Sequence, residues 1–114
     1  MQYGIADFLL SEPEFCDKVP AFYEQKRDHF CRLLEGSRLR LEPARSTFFQ
    51  IADYGDITDE DDLSLAKRWT REIGVASIPL SVFCETPYTG TRLRFCFAKD
   101  DATLEEAARR LCDL

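Results

Sequence analysis

The segment Arg92-Leu93-Arg94-Phe95-Cys96-Phe97-Ala98-Lys99 decides the fold of this chain, because its side chains alternate in character. Every second residue from Leu93 to Phe97 is apolar, which predicts a β-strand with one face buried in a core. The opposite face carries Arg92 and Arg94. A guanidinium on a rigid strand can bind a carboxylate through two parallel hydrogen bonds. The pattern is therefore open to two interpretations, a site for an acid-bearing small molecule or a surface strand with solvated arginines.

The composition is that of one globular domain rather than a disordered chain. Of the 114 residues, 45% are hydrophobic and 12% are aromatic, so the chain can bury a core. The formal net charge of −6 argues against a nucleic-acid partner, since phosphates require a positive surface. No apolar run approaches the roughly 18 residues that a membrane span needs, and no signal peptide opens the sequence. We therefore expect a cytoplasmic protein without a membrane or nucleic-acid partner.

The residue types that bind metals or form catalytic triads are sparse. The five cysteines have no metal-ligand spacing, and an odd number cannot pair completely within the chain. They are interpreted as reduced and mostly buried small hydrophobes. His29 is the only histidine and lies in a helical pattern. Without a second histidine, neither a metal site nor a serine or cysteine triad is expected.

The first third of the chain predicts two helices. Residues 3–11 form a short helical pattern that begins abruptly, so we expect the chain to be a piece of a longer protein. Pro20 suits the first turn of a second helix, where its missing N–H costs nothing. Gly36 is the expected C-terminal cap of that helix.

The middle of the chain predicts a hairpin followed by a third helix. Residues 38–42 alternate as an edge strand that Pro43 ends, and residues 46–53 form a stronger strand. Thr58 is the expected N-cap of the third helix, with Asp61 completing a weak capping box. Leu65, Trp69 and Ile73 lie four residues apart and form its predicted buried stripe. Gly74 is predicted to end the helix.

The last third begins with a predicted short strand in residues 75–82, which turns into a loop. An irregular connection in residues 84–91, the arginine strand and a final helix follow. Thr103 and Glu106 have the spacing of a capping box at the start of that helix. The order of elements predicts an α+β fold, a two-layer small domain with helices on one face of a small mixed or antiparallel sheet. The second face of such a sheet must meet solvent, a ligand or another domain, and Arg94 is expected to point to it.

Most catalytic arrangements are absent from the sequence. No glycine-rich phosphate loop and no G-x-S-x-G motif is present. The acidic run of residues 59–62 is interpreted as a helix start rather than a metal site, because carboxylates are favoured at exposed helix N–H groups. Lys99 lies beside Asp100 and Asp101, which favour its charged form, so it is interpreted as a structural residue or a residue at the rim of the site. The residues alone thus indicate a possible anion clamp without a nucleophile or base.

Several segments resemble the C-terminal end of class I/II pyridoxal-phosphate-dependent aminotransferases, with the methionine and kynurenine/glutamine aminotransferase-like enzymes as the closest branch. The resemblance covers essentially the whole chain in order. It is carried by Val75-Ala76-Ser77-Ile78-Pro79-Leu80-Ser81-Val82-Phe83, by residues 93–99 with the Thr-Leu-Glu-Glu-Ala helix start at residues 103–107, and by two upstream segments, residues 1–7 and 22–28.

The resemblance implies roles for particular residues. The family's C-terminal arginine binds the α-carboxylate of the amino-acid substrate, and it falls on Arg94. Pro79 and Phe83 fall in the family's segment near the substrate mouth. The family usually has Gly-Thr-Tyr-Phe where this chain has Ser46-Thr47-Phe48-Phe49, which leaves Phe48 in place of a tyrosine near the site.

The resemblance also implies what lies elsewhere. The family's Schiff-base lysine, the aspartate that pairs the cofactor's ring nitrogen and the phosphate-binding residues belong to a large domain, so no catalytic, cofactor-binding or metal-binding residue is expected here. Residues 1–114 are expected to be the small domain, and residues 1–36 to include helices that connect to the missing large domain. The full enzyme would use pyridoxal phosphate, amino-acid and 2-oxo acid substrates, and form a homodimer. The alternative is a non-catalytic dimerisation or carboxylate-binding module derived from the same domain.

Overall fold

A computed structural model describes all 114 residues. Four α-helices accompany one sheet of four strands, and a short 3₁₀ turn follows the third strand. In chain order the elements are α1 (Gln2–Ser11), α2 (Phe15–Leu33), β1 (Arg40–Leu41), β2 (Phe49–Asp53), α3 (Asp62–Glu72), β3 (Ile78–Pro79), the 3₁₀ turn Leu80–Phe83, β4 (Arg92–Cys96) and α4 (Asp101–Cys112).

The sheet is wholly antiparallel, with the strand order β1-β2-β4-β3. The last strand, β4, therefore lies between β2 and β3 and is paired on both sides. Ile51 and Ile78 lie opposite Arg94 on the two neighbouring strands. The predicted α+β architecture is confirmed, since helices and a small antiparallel sheet form two layers.

One face of the sheet, here called the covered face, packs against helices. Its strand residues are Leu41, Gln50, Ala52, Pro79, Leu93 and Phe95, and the alternation continues to buried Phe97 just beyond β4. Buried side chains from α2, α3 and α4 complete the core: Phe30, Leu65, Ala66, Trp69, Leu104, Ala108 and Leu111. Burying this much apolar surface is the main favourable contribution to folding.

The other face, here called the open face, has no helix over it. Because side chains alternate along each strand, it carries Arg40, Phe49, Ile51, Asp53, Ile78, Arg92, Arg94 and Cys96. None of these residues is buried. The arginine strand thus has the two faces that its alternation predicts.

The ends of several helices differ from the sequence-based predictions. Helix α2 begins at Phe15, so Pro20 lies inside it rather than in its first turn, and Gly36 lies beyond its end without a left-handed backbone. Helix α3 is capped by Asp61, not Thr58. The α3 cap is made by the Asp61 side chain, which accepts a hydrogen bond from the Ser64 N–H, whereas the start of α2 at Phe15 has no side-chain cap.

Helix α4 shows the same kind of difference. Its N-cap is Asp100, which accepts a hydrogen bond from the Thr103 N–H at 2.8 Å, so Thr103 is not the cap. Glu106 instead binds Arg109 and Arg110 of its own helix. An aspartate competes well with threonine at an N-cap, which accounts for the shift. Gly74 ends α3 as predicted, with a φ of 69° that glycine adopts without strain.

Helix α1 stands apart from the two layers. It has no buried residue, and the ring of Phe8 packs edge-on against that of Phe15, the first residue of α2, at 5.0 Å. None of the four helices combines the length and the apolar character that a bilayer span requires.

Candidate carboxylate site on the open face

The open face contains a groove of about 700 Å³ that runs over β1, β2 and β4. Arginines dominate its charge, although the chain as a whole is acidic. Its charged lining residues are Arg40, Glu42, Arg45, Asp53, Arg92 and Arg94. A positive groove of this kind attracts anions to one side of an otherwise negative molecule.

Arg94 is held by two aromatic rings rather than by carboxylates. Its Cζ lies 3.9 Å from the ring centroid of Phe49 and 4.8 Å from that of Phe83. Both distances are within the range of cation–π attraction. The Arg94 guanidinium forms no ion pair and no hydrogen bond with another residue, and its Nε is buried without a partner. Its remaining N–H groups are therefore available for a ligand.

Arg92 and Arg40 differ from Arg94 because both lie beside Asp53. Arg40 is 3.4 Å and Arg92 is 3.9 Å from Asp53 carboxylate oxygens, and Arg40 also lies 3.3 Å from Asp56. The Arg92 side chain is 61% exposed, so its charge is largely solvated. Two of the arginines on this face are thus neutralised by neighbouring acids, whereas Arg94 is not.

Asp53 is anchored at the end of β2. The Gly55 N–H and the Thr91 hydroxyl donate hydrogen bonds to its Oδ1 at 2.9 and 2.8 Å. Partial burial alone would raise the pKa of Asp53, but these hydrogen bonds and the Arg40 charge outweigh it and hold the pKa below its ordinary value. Asp53 therefore stays ionised next to Arg40 and Arg92, whereas the β2 residue that lies opposite Arg94 is Ile51.

The other predicted site residues take different positions. The Phe48 ring is exposed and packs between Phe49, at 4.3 Å, and Tyr23, at 6.2 Å. Phe83 lies over Arg94, as described. Pro79 is buried on the covered face opposite Leu93, so the residue of β3 that faces Arg94 is Ile78.

Phe49 is the site residue that sequence reasoning did not single out. Register would have identified it, because Gln50 and Ala52 are buried and the residues between and before them must then point to the open face. Thr47, with a φ of 70°, lies just before this pair of phenylalanines and bends the chain into β2. A β-branched residue in this region is strained, which marks the bend as a position fixed by its surroundings.

The remaining candidates lie away from the groove. His29 is in the helical layer, with its Nε2 3.7 Å from Glu105 Oε1 of α4. Lys99 is exposed beyond β4, and its carbonyl accepts a hydrogen bond from Lys26. In the acidic run, Glu60 pairs with Arg68, Asp61 caps α3 and Asp62 binds the Ser81 N–H. No group of three or more ligand-type side chains is arranged to hold a metal ion.

The groove does not contain the groups that pyridoxal phosphate requires. A Schiff base needs a lysine at the site, but Lys18, Lys67 and Lys99 are exposed elsewhere and Lys26 pairs with Asp101 of α4. The residues of this chain therefore do not fit the cofactor on their own.

Curated proteins similar to this chain are aminotransferases. Methionine aminotransferase of Escherichia coli (strain K12) is 44% identical over 113 residues, which cover 99% of this chain and 29% of that protein. Kynurenine–oxoglutarate transaminase 1 of Rattus norvegicus is 33% identical over 108 residues, covering 82% of this chain and 26% of the relative. A comparison with models of protein families gives no match.

Solved structures that are similar to this chain are also aminotransferases. YbdL from Escherichia coli, whose structure identified a methionine aminotransferase function, superposes with a TM-score of 0.90 at 44% identity over 96% of this chain and 29% of its own. N-Succinyldiaminopimelate aminotransferase from Mycobacterium tuberculosis gives a TM-score of 0.87 at 28% identity over 98% and 29% of the two chains. The chain thus spans less than a third of the length of these relatives. It belongs to the class I/II aminotransferase family, whose members generally use pyridoxal phosphate, and represents a small α+β part of such a protein.

Proposed function

We propose that the open face supplies the substrate-carboxylate site of an aminotransferase, and that Arg94 is the residue that binds the carboxylate. The observation that carries this proposal is the state of its guanidinium, which is held by Phe49 and Phe83 yet has no acid or carbonyl partner. Aromatic faces fix the plane of a guanidinium and leave its N–H edges directed outward. A carboxylate entering the groove can accept two parallel hydrogen bonds from those edges.

The substrates follow from the family. Methionine and kynurenine–oxoglutarate aminotransferases are named for an amino acid and a 2-oxo acid, and both kinds of molecule carry an α-carboxylate. Arg94 would bind each in turn and orient it, a contribution that lowers the entropy cost of the reaction. The groove beside it offers Phe49 and Ile51, which suit an uncharged substrate side chain.

The rest of the catalytic site would come from a large domain. Pyridoxal phosphate would supply the electron sink of the transamination. Residues 1–36 would include the helices that join the small domain, residues 1–114, to that large domain. The exposed apolar side chains of this region support the assignment, because such a surface is normally covered: Tyr3, Ile5, Phe8, Leu9, Leu10, Phe15 and Phe22. The complete enzyme would act as a homodimer in the cytoplasm, where the five free cysteines of this chain would remain reduced. The expectation that most of them are buried is wrong, since two are exposed and three are partly exposed.

A chimaera tests the proposal. In it, this chain replaces the matching 29% of E. coli methionine aminotransferase, to which it is 44% identical. Arg94→Leu in the chimaera should lower kcat/KM for L-methionine by about two orders of magnitude, since hydrogen bonds to a charged group contribute about 3 kcal/mol. Arg92→Leu is the matched control and should stay within about fivefold, as expected for an exposed ion pair. Equal losses in the two variants would show that Arg94 has no special role.

The second candidate is a carboxylate-binding module without its own chemistry, and the absence of a lysine from the groove favours it for the isolated chain. It predicts that treatment of the 114-residue chain with pyridoxal phosphate and borohydride labels no lysine selectively. Mass spectrometry of the peptides measures the labelling. Stoichiometric labelling of one lysine would contradict both candidates, because it would reveal a cofactor site within this chain.

A further inference from the structure

The neighbouring carboxylates of Asp61 and Asp62 at the start of α3 accept hydrogen bonds from different parts of the chain. Asp61 caps the helix, because its side chain accepts a hydrogen bond from the Ser64 N–H at 2.9 Å. Asp62 is only 4% exposed, and its Oδ2 accepts a hydrogen bond from the Ser81 N–H at 2.7 Å. The cap is therefore already provided by Asp61, and Asp62 instead ties α3 to a segment nineteen residues further along the chain.

Burial of Asp62 requires compensation. Removing a carboxylate from water is unfavourable unless strong hydrogen bonds replace the lost water. The first turn of a helix favours a negative charge, but an exposed aspartate would gain the same benefit. The short bond from Ser81 is the contact that depends on the buried position. It is charge-assisted, and bonds of this type are stronger than neutral ones.

Ser81 belongs to the 3₁₀ turn Leu80–Phe83, here called the Phe83 turn. Its carbonyl also accepts the hydrogen bond from the Cys84 N–H that closes this turn, at 3.1 Å. The Phe83 side chain is 61% exposed, yet its ring lies 4.8 Å from Arg94 Cζ. A ring with so little packing of its own takes its position largely from the backbone that carries it.

We propose that Asp62 is a positioning residue for Arg94. By accepting the hydrogen bond of the Ser81 N–H it holds the Phe83 turn, so that the Phe83 ring keeps its contact with the guanidinium, which also lies over Phe49. The inference rests on the proposed function only for its consequence, the binding of a carboxylate by Arg94. The geometric part, a tether from Asp62 through Ser81 to the Phe83 ring, is independent of any ligand.

The geometric part can be measured on the 114-residue chain by NMR. The side-chain Nε–Hε signal of Arg94 should be displaced by the ring currents of Phe49 and Phe83. Asp62→Ala removes the acceptor and should shift this signal towards the position that it takes in Phe83→Leu. Asp62→Asn keeps an acceptor oxygen and should restore most of the original shift. Asp59→Asn alters an exposed acid of the same run and is the control that should change nothing.

A titration with sodium propionate, followed on the same signal, measures the consequence. Asp62→Ala should weaken propionate binding roughly two- to fivefold, the size of one cation–π contact at a partly exposed site. If the unaltered chain shows no response at Arg94, the proposed function fails while the tether is still judged from the shifts. If Asp62→Ala changes neither the shift nor the affinity, or if Asp62→Asn loses as much as Asp62→Ala, the positioning role is overturned.

Hydrogen exchange of the unaltered chain gives a test that no folding defect can obscure. The Ser81 amide should exchange far more slowly than the amides of residues 85, 86 and 88–90, which are in the irregular connection, because its N–H is bonded to a buried carboxylate. Exchange of Ser81 at the rate of that connection would contradict the tether directly.

Discussion

The two faces of the sheet are built from the same short strands but are stabilised in opposite ways. On the covered face, Leu93 and Phe95 are at most 3% exposed and pack against helices. On the open face, Arg94 is held only by two rings and has no charged partner. The first face supplies stability, whereas the second keeps a charge available for a ligand. Alternation along one strand separates the two tasks by a single residue step.

The largest expected effect separates the two faces by stability. Phe95→Ala should lower the free energy of unfolding by about 3–5 kcal/mol, because it leaves a cavity in a close-packed core. Ile51→Ala on the adjacent strand is the control, and since Ile51 is 45% exposed its cost should stay below about 1 kcal/mol. Urea unfolding followed by circular dichroism measures both, and similar losses would remove the distinction between the faces.

The next effect concerns Gln50, a polar side chain within the covered face. Its amide donates to the Glu42 and Ile51 carbonyls at 2.8 and 2.9 Å and accepts from the Ala44 N–H at 3.0 Å. Gln50→Leu should cost about 2–3 kcal/mol, because it leaves partners of the buried amide unsatisfied. Unfolding by urea should show this loss, together with faster amide exchange at Ala44; a neutral result would mean that the loop 42–44 is held by other contacts.

A smaller effect concerns the pH dependence of stability that Asp53, the partner of Arg40 and Arg92, provides. The pKa of Asp53 is lowered in the folded chain, so its ionised form stabilises the fold fully above the ordinary value of 3.8 and loses this contribution as the pH falls through the lowered pKa. Asp53→Asn should remove that part of the acid dependence. Unfolding measured from neutral pH to about pH 2 should show a shallower decline for the variant than for the unaltered chain; identical declines would contradict the role of Asp53.

The smallest effect tests the bend that precedes β2. Thr47→Asn should stabilise the chain by about 0.5–1 kcal/mol, because asparagine tolerates a left-handed backbone better than a β-branched residue does. Ser46→Asn, at a neighbour without a positive φ, is the control and should have little effect. Thermal unfolding compares the three chains. A loss of stability in Thr47→Asn would mean that the threonine side chain contributes contacts that outweigh the strain.

Much of the fold followed from local signals. The number and order of the elements, the end of α3 at Gly74 and the two faces of β4 could be predicted, because each depends on periodicity or on one residue's backbone preference. The starts of α3 and α4 could not, since Asp61 and Asp100 compete as N-caps with nearby residues such as Thr58 and Thr103, and the start of α2 at Phe15 has no side-chain cap that would mark it. Local propensity ranks such positions too closely to decide between them.

The candidate site, like the fold, has features that the sequence predicted and features that it did not. Alternation placed Arg94 on the open face, and the family resemblance implied a carboxylate ligand, which is a proposal for this chain. The sequence could not distinguish Arg94 from Arg92 by their bonding, because both stand on the same face of one strand. Nor did it indicate the stacking of Phe49 on Arg94 or the bond from Ser81 to Asp62.

The sequence by itself thus determined a two-layer α+β domain of the aminotransferase family with arginines on one sheet face. Only the tertiary structure decided which arginine stays unpaired. Strand pairing places Asp53 opposite both Arg40 and Arg92. Arg94 instead contacts the rings of Phe49 from β2 and Phe83 from the Phe83 turn. These contacts join residues far apart in the chain, and local periodicity carries no information about which distant side chains will meet.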